Sequence, residues 1–286
     1  FYIDFTNAKT YEVSVAMKQG DWTKRYTLDA KKDFSVNPAP LELTRSNPAS
    51  EKYDGTAKSA TWFISGFKYQ DGAKEFAAFQ PQFKTALGKT NDPKIETYYN
   101  LYKGTATSGY TLETNITLKP GETVSYGEKV ENQSKTISYT LSGATQAGDY
   151  SIVFPSTGSS ITVGNYILKF YEGASQQTKP PVFSIAENKI KISILYVDST
   201  KQHSYNGQKK GKITITFNAD EEIAGYGDYI SNFFNVSINN GGKEISKPSG
   251  TTSGKTAQWV FETGVDVKDY KVTISDGVNH TEYVKN

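Results

Sequence analysis

Residues 148–171 read GDYSIVFPSTGSSITVGNYILKFY and contain the pattern that decides the fold of this chain. Aromatic and aliphatic residues occupy every second position in two short runs, Tyr150–Phe154 and Tyr166–Tyr171. An alternation with period two is typical of a β-strand that buries one of its faces. The segment between the runs is rich in Ser, Thr and Gly, which favour turns. The stretch therefore predicts two β-strands joined by a connection.

The same pattern recurs along the whole chain. Eleven runs are predicted to be strands: Tyr11–Ala16, Leu41–Thr44, Thr61–Ile64, Thr136–Leu141, Tyr150–Phe154, Tyr166–Tyr171, Lys189–Leu195, Lys212–Phe217, Phe234–Ile238, Gln258–Phe261 and Tyr270–Ser275. Turns such as Asp54-Gly55 and Asp71-Gly72, in which glycine accepts a positive φ, separate them. Only Ala73–Leu87 has a helical pattern, and because Pro81 interrupts it we expect a short helix or a packed loop. Many short strands separated by turns predict an all-β fold made of β-sandwiches.

Composition counts against several classes of protein. The charges nearly cancel, with 32 Lys and Arg against 30 Asp and Glu, so the chain lacks the basic field that binds nucleic acid. There is no cysteine, which excludes disulfides, thiolate catalysis and Cys-ligated zinc. No apolar run is long enough for a membrane-spanning helix. Phe1–Lys9 lacks the basic and apolar parts of a signal peptide, so we expect a processed chain or an internal fragment.

Recurring landmarks indicate tandem modules. A Tyr-Asx-Gly turn follows a predicted strand twice, at Tyr53-Asp54-Gly55 and at Tyr205-Asn206-Gly207. A strand headed by a tyrosine closes a module three times, at Tyr11, Tyr150 and Tyr270. For Tyr53, Tyr205, Tyr150 and Tyr270 we expect the ring to pack on a sheet end while the hydroxyl satisfies a backbone group. The predicted structural landmarks are Tyr53, Gly55, Tyr150, Tyr166, Tyr205, Gly207 and Tyr270.

These landmarks predict tandem immunoglobulin-like β-sandwich modules. Residues 1–36 are interpreted as the C-terminal part of one module, 37–186 as a complete module, and 187–286 as a second complete module. The first complete module contains a central insertion, because Tyr53 to Tyr150 spans 97 residues and Tyr205 to Tyr270 spans 65.

The same residues resemble a known family, the mostly bacterial immunoglobulin-like repeats called MBG domains. The usual pattern of that family opens with Pro-Ala-Pro-Leu, continues to a Tyr-Asp-Gly turn, and closes with a Gly-Asp-Tyr strand and an Asn-Tyr strand. Here the corresponding segments are Pro38–Leu41, Tyr53–Gly55, Gly148–Tyr150 and Asn165–Phe170, in that order. The resemblance implies a non-catalytic stalk or adhesive region of a secreted or cell-surface bacterial protein. Its expected partner is a host or bacterial surface protein or a glycan.

An aromatic cluster in the middle of the first complete module is the predicted binding surface. Its members are Phe76, Phe79, Tyr98, Tyr99 and Tyr102. Exposed aromatic rings stack on sugars or on partner side chains, whereas an inserted segment also needs aromatic anchors in the core of its sandwich. Both interpretations stay open from the sequence. The first leads to an alternative function, a carbohydrate-binding module of a surface system that captures or degrades glycans.

Patterns for catalysis and for metal binding are weak. The two histidines, His203 and His280, lie in turn and hairpin sequences without the partners of a Ser-His-Asp triad, so we expect no enzyme activity. No cofactor is predicted. Calcium has candidate oxygen ligands in Asp220, Glu222 and Asp228, although their spacing does not match an EF-hand. A solvated acidic turn is the simpler interpretation of that stretch.

Overall fold

The computed structural model describes residues 7–14, 31–68, 71–87, 95–105, 107–196, 211–263, 270–275 and 280–284. Within these residues the fold is all-β, as predicted, with 24 strands and two short helices. The chain divides into two compact units. The first unit consists of Phe1–Ser50 and Ala57–Ser184, and the second consists of Glu51–Thr56 and Ile185–Asn286. The three-module division stays a prediction.

The first unit begins with a two-stranded antiparallel ribbon. β1 (Thr10–Ser14) pairs with β2 (Lys31–Ser35), and Tyr11 lies directly opposite Phe34. The Tyr11 hydroxyl donates a hydrogen bond to the main-chain oxygen of Asn7, four residues earlier, at 2.9 Å. This bond ties the ring to the segment that leads into the strand.

The larger sheet of the first unit has eight strands. They are β3 (Ala39–Arg45), β5 (Lys58–Lys68), β10 (Asn115–Thr117), β11 (Thr123–Glu131), β12 (Ser134–Ala144), β14 (Ser160–Val163), β15 (Tyr166–Glu172) and β16 (Ser175–Gln177). Their order is β10-β11-β12-β5-β3-β15-β14, with β16 paired to β15. β3 and β15 are parallel, and the other neighbours are antiparallel. β3 is therefore bonded along both of its edges.

The smaller sheet of the first unit has five strands. They are β4 (Ser50–Lys52), β6 (Gln82–Leu87), β7 (Ile95–Asn100), β13 (Gly148–Val153) and β17 (Val182–Ala186), in the order β4-β17-β13-β6-β7. The last two residues of β4 and of β17 are assigned to the second unit. α1 (Ala73–Ala77) precedes β6. β8 (Tyr102–Thr105) and β9 (Gly109–Leu112) form a separate ribbon. β7 thus ends the smaller sheet at one side.

The two sheets of the first unit bury their apolar faces against each other. Trp62 of β5 and Phe83 of β6 are fully buried and meet edge to face, with ring centroids 5.3 Å apart. Every second residue of β12 is buried in the same core, namely Ile137, Tyr139 and Leu141. Side chains of a strand alternate between its two faces, so this period marks the face that meets the opposite sheet. The first unit is a β-sandwich.

The second unit contains two smaller sheets. One has the order β18-β19-β22-β21, from β18 (Ile190–Tyr196), β19 (Lys212–Ile223), β22 (Gly254–Glu262) and β21 (Lys243–Ser246). The other has the order β20-β23-β24, from β20 (Asn235–Ile238), β23 (Lys271–Ser275) and β24 (His280–Val284). α2 (Tyr226–Phe233) follows β19. The core joins Phe217 and Trp259 of the first sheet to Val272 and Ile274 of the second.

Each of the eleven predicted strands overlaps an observed strand. The stretch Ala73–Leu87 forms the five-residue helix α1 followed by β6, with Pro81 between them, which agrees with the expected short helix. α2 was not predicted, because eight residues that include Gly227 and Asp228 have little helix propensity of their own. Burial of Tyr226 and Ile230 in the core provides the stabilisation that the local sequence lacks.

Candidate functional site

Three of the five predicted binding residues lie in the core of the first unit. Phe76 in α1 is fully buried, and Phe79 and Tyr102 are nearly so. The ring of Phe76 contacts those of Phe79 and Tyr102, with centroids 6.1 and 6.4 Å away. A fully buried ring has no surface on which a ligand could stack. These three residues therefore pack in the core, and only Tyr98 and Tyr99 remain candidates for a binding surface.

A buried hydrogen bond between two tyrosines fixes the position of Tyr102. The Tyr139 hydroxyl donates to the Tyr102 hydroxyl at 2.7 Å. Burial raises the pKa of both groups well above the usual range, since an ionised phenolate would lose its hydration there. The neighbouring Tyr126 hydroxyl donates to the Glu128 carboxylate at 2.6 Å. The hydrogen bonds and ring contacts of the three phenols give the cluster a structural role.

Tyr98 and Tyr99 are adjacent in β7 and point to opposite faces of the smaller sheet. Tyr99 pairs with the core residue Phe83 and is half-buried, and its hydroxyl donates to the main-chain oxygen of Leu118 at 3.1 Å. Tyr98 pairs with Lys84 on the outer face and is 47% exposed. Of the five predicted residues, Tyr98 alone presents a large surface to solvent.

Polar side chains surround Tyr98 on the outer face. Its hydroxyl donates to the Glu96 carboxylate, which also pairs with the ammonium group of Lys84. The hydrogen bond to Glu96 raises the pKa of Tyr98. Two residue pairs further along the sheet, and so on the same face, the Gln82 side-chain amide donates to the Asn100 side chain at 2.7 Å. An aromatic ring tethered at its hydroxyl, beside amide and charged groups, can stack on a neutral polyol and form hydrogen bonds with it.

The sequence prediction missed Gln82 and Lys84. Both residues lie in Gln82–Leu87, whose letters QFKTAL alternate polar and apolar residues only over the first three positions. That alternation was hidden because the segment was included in a longer stretch with a helical pattern. Pairing of β6 with β7 then brings the two polar residues beside Tyr98.

Tyr150 has the structural contact expected from the sequence. Its ring is fully buried, and its hydroxyl donates to the main-chain oxygen of Gln146 at 3.0 Å. Burial and the nearby Glu122 carboxylate raise the pKa of Tyr150 above its ordinary value. The bond spans four residues, as does the bond from Tyr11 to Asn7. Tyr150 thus locks the turn that leads into β13.

The remaining landmarks occupy several environments. The Tyr166 hydroxyl donates to Asp71 at 2.6 Å and accepts a bond from the Lys68 amide, and burial raises its pKa to about 12. Tyr270 packs against the core of the second unit, immediately before β23. Its buried hydroxyl has no hydrogen-bond partner within the described residues, so the expected bond to a backbone group is not found there. Tyr53 is half-buried, and the Gly55 backbone has a φ of 79°, which favours glycine. Tyr205 and Gly207, like His203, lie outside the described residues.

The three calcium candidates do not converge. The Asp220 main-chain oxygen accepts a bond from the Lys255 ammonium group, and the Glu222 carboxylate accepts one from the Ser253 hydroxyl. The Asp228 carboxylate, in the first turn of α2, accepts a bond from the Gly250 amide. Across the described parts of the chain, no group of three or more acidic, histidine or cysteine residues is arranged to hold a metal ion. The calcium prediction gains no geometric support.

Comparison with known proteins adds no family. No protein-family model matches the chain, and a search of curated proteins finds no significant match. The resemblance to MBG repeats therefore stays a prediction. Neither helix in the residues that the structure describes has the length and apolar character needed to cross a membrane.

Proposed function

We propose that this chain is a non-catalytic repeat region of a secreted or cell-surface bacterial protein, where it acts as a stalk or interaction module. The observation that carries the proposal is a strand order repeated in both units. The extracellular bacterial setting, and a partner that is a surface protein or a glycan, follow from the resemblance to MBG repeats.

The repeated order is that of the immunoglobulin fold, in which strands A, B, E and D form one sheet and strands C, F and G form the other. In the second unit these positions correspond to β18-β19-β22-β21 and β20-β23-β24. In the first unit they correspond to β3-β5-β12-β11 and β6-β13-β17. The extra strands β7 to β10 and β14 to β16 fall between positions C and D and between F and G. This correspondence supports the tandem immunoglobulin-like interpretation.

A recurring tyrosine contact adds support. In immunoglobulin-like sandwiches a tyrosine near the start of strand F forms a hydrogen bond to the backbone a few residues upstream. Tyr150 has this bond at the start of β13, which occupies position F. Tyr11 has the same bond at the start of β1. The N-terminal ribbon therefore has the features of the last two strands of another module.

The proposed stalk function, in which the chain resists a pulling force, can be tested by single-molecule pulling on the whole chain. Among the strands that the structure describes, β3 is bonded to neighbours on both edges and β18 is bonded only to β19, so we expect the second unit to unfold at the lower force. Unfolding of the second unit should lengthen the chain by roughly 30 nm, and unfolding of the first unit should then lengthen it by roughly 50 nm, at about 3.4 Å per residue. A smooth extension without separate steps would contradict the stalk proposal.

The exposed position of Tyr98 supports the second candidate, a carbohydrate-binding module. The test is a glycan array with the whole chain, its Tyr98→Ala variant and a Phe63→Ala control. Phe63 is a matched control because it is 38% exposed on the outer face of the larger sheet. We expect a glycan ligand whose binding falls at least about tenfold in Tyr98→Ala and is retained in Phe63→Ala. The candidate is rejected if no glycan binds or if Tyr98→Ala binds like the parent chain.

A further inference from the structure

The second unit contains a segment from a distant part of the sequence. Glu51–Thr56 belongs to this unit, although the residues on either side of it, Ser50 and Ala57, belong to the first. We call Tyr53-Asp54-Gly55 within this segment the inserted turn. Its contacts with the rest of the second unit are specific.

Main-chain hydrogen bonds hold two successive residues of the inserted turn. The Tyr53 amide donates to the main-chain oxygen of Ala186 at 2.9 Å. The Asn188 side-chain amide donates to the Tyr53 oxygen at 3.0 Å. The Ala224 amide donates to the Asp54 oxygen at 2.7 Å. Three directed bonds to consecutive peptide groups fix the position and direction of the bound chain.

Asn188 joins the inserted turn to β19. The same side-chain amide that binds Tyr53 also donates to the Glu221 main-chain oxygen at 3.0 Å. The Asn188 side-chain oxygen accepts a bond from the Glu221 amide at 3.1 Å. One carboxamide thus uses two donors and one acceptor to hold two chain segments together, which neither a carboxylate nor an aliphatic side chain can reproduce.

The side chains of the inserted turn match their surroundings. The Tyr53 ring lies 6.2 Å from that of Tyr229, and burial raises the pKa of Tyr53. The Asp54 carboxylate accepts bonds from the amide and hydroxyl of Thr56, which closes the turn. Gly55 has a φ of 79°, and an added Cβ would lie 3.4 Å from the Ala224 oxygen. A left-handed backbone this close to Ala224 favours glycine.

We propose that Ala186, Asn188, Ala224 and Tyr229 form a recognition surface whose partner is a Tyr-Asp-Gly turn, supplied here by Tyr53–Gly55 of the same chain. The partner must offer a tyrosine ring, two consecutive peptide groups and a left-handed glycine. The inserted turn completes the second unit, so the stability of this unit depends on residues far outside its continuous sequence. This inference concerns the assembly of the unit and does not depend on the proposed function.

Hydrogen exchange measured by mass spectrometry on the whole chain tests the proposal. The Gly55→Val variant forces a β-branched residue into the left-handed conformation. We expect amide exchange in β19 and β22 to become about tenfold faster, while exchange in β5 and β12 of the first unit changes less than about twofold. The matched control is Gly164→Val in the first unit, where φ is 58° and an added Cβ meets no atom within 4 Å. This control should leave β19 and β22 unchanged.

A second variant separates recognition from general loss of structure. Asn188→Ala removes the bond to Tyr53 and both bonds to Glu221, and we expect exchange in β19 and β22 to accelerate at least about tenfold. Because Gly55→Val already displaces the inserted turn, the double variant should exchange like Asn188→Ala alone. The proposal is overturned if the two effects multiply fully, or if Gly55→Val accelerates exchange in β5 and β12 but not in β19 and β22.

Discussion

We expect the Tyr150→Phe variant to reduce the free energy of unfolding of the first unit by about 2 kcal/mol. The substitution removes one hydroxyl and keeps a ring that is fully buried in the parent chain. That hydroxyl donates to the Gln146 main-chain oxygen at 3.0 Å. It also faces the carboxylate of Glu122, whose side chain is only 1% exposed. The hydroxyl has a single proton, so the substitution leaves the Gln146 oxygen without its donor and removes a polar neighbour of Glu122.

The magnitude follows from the one bond that is lost. Removing one partner of a buried hydrogen bond, so that the other is left unsatisfied, costs about 1–3 kcal/mol. Glu122 keeps a longer contact from the Thr145 amide at 3.4 Å, which limits the loss. The ring stays in place, so no cavity adds to the cost. A loss of about 2 kcal/mol corresponds to about 30-fold faster exchange.

Hydrogen exchange in β13 and β6 measures this loss, and β19 and β22 serve as an internal reference in the second unit. Tyr11→Phe is the matched control, because the half-buried Tyr11 forms the same bond to a residue four positions earlier but this bond is exposed to solvent. We expect this control to cost less than about 0.5 kcal/mol. Exchange in Tyr150→Phe within about twofold of the parent chain would refute the assignment of a stabilising role to the hydroxyl.

Three further predictions concern the core of the first unit. Burial raises the pKa of tyrosines such as Tyr139, so these side chains stay neutral in the folded state. In the unfolded chain the same side chains ionise near the ordinary pKa of 10.0. Stability is therefore complete below pH 10 and falls above it by about 1.4 kcal/mol per pH unit for each such group. Tyr139→Phe should reduce that slope by one group in alkaline unfolding followed by tyrosinate absorbance. If the slope were unchanged in Tyr139→Phe, burial of this tyrosine would not be a cause of the loss of stability above pH 10. Gly143 has a φ of 75°, and an added Cβ would collide with the Gly121 carbonyl oxygen. Gly143→Ala should reduce the free energy of unfolding by more than about 2 kcal/mol. Hydrogen exchange in β12 should therefore become faster, and exchange like that of the parent chain would contradict this prediction. Trp62→Ala should cost about 3–5 kcal/mol, since it empties the contact with Phe83 and removes the indole bond to the Pro181 oxygen. If denaturant unfolding shows that Trp62→Ala reduces the free energy of unfolding by less than about 1 kcal/mol, the result would be inconsistent with that packing.

The sequence by itself determined the all-β fold and the position of its main strands. Period-two alternation is a local property, because successive side chains of a strand point to opposite faces whatever the strand pairs with. Turn glycines such as Gly55 are equally local, since a positive φ is a property of a single residue. The hydroxyl bond of Tyr150 could also be predicted, because its acceptor lies only four residues away.

Tertiary structure alone decided which aromatic residues are exposed. Phe76, Tyr98 and Tyr102 are close in sequence and similar in chemistry, yet two are buried and one is 47% exposed. Tyr98 is exposed because it lies on the outer face of β7, which the register with β6 sets, whereas Phe76 in α1 and Tyr102 in β8 reach the core. α2 likewise forms through burial of Tyr226 and Ile230 rather than through its own propensity.

Tertiary structure also decided that Glu51–Thr56 belongs to the second unit. The sequence predicted the turn at Tyr53-Asp54-Gly55 from its residue types, but it contained no signal for Asn188 or Ala224 as partners. More than 130 positions separate these residues from the turn, and local periodicity carries no information about contacts at that distance. Such contacts form only when the folded sheets bring their donors and acceptors together, because a hydrogen bond depends on position and direction in space rather than on order along the chain.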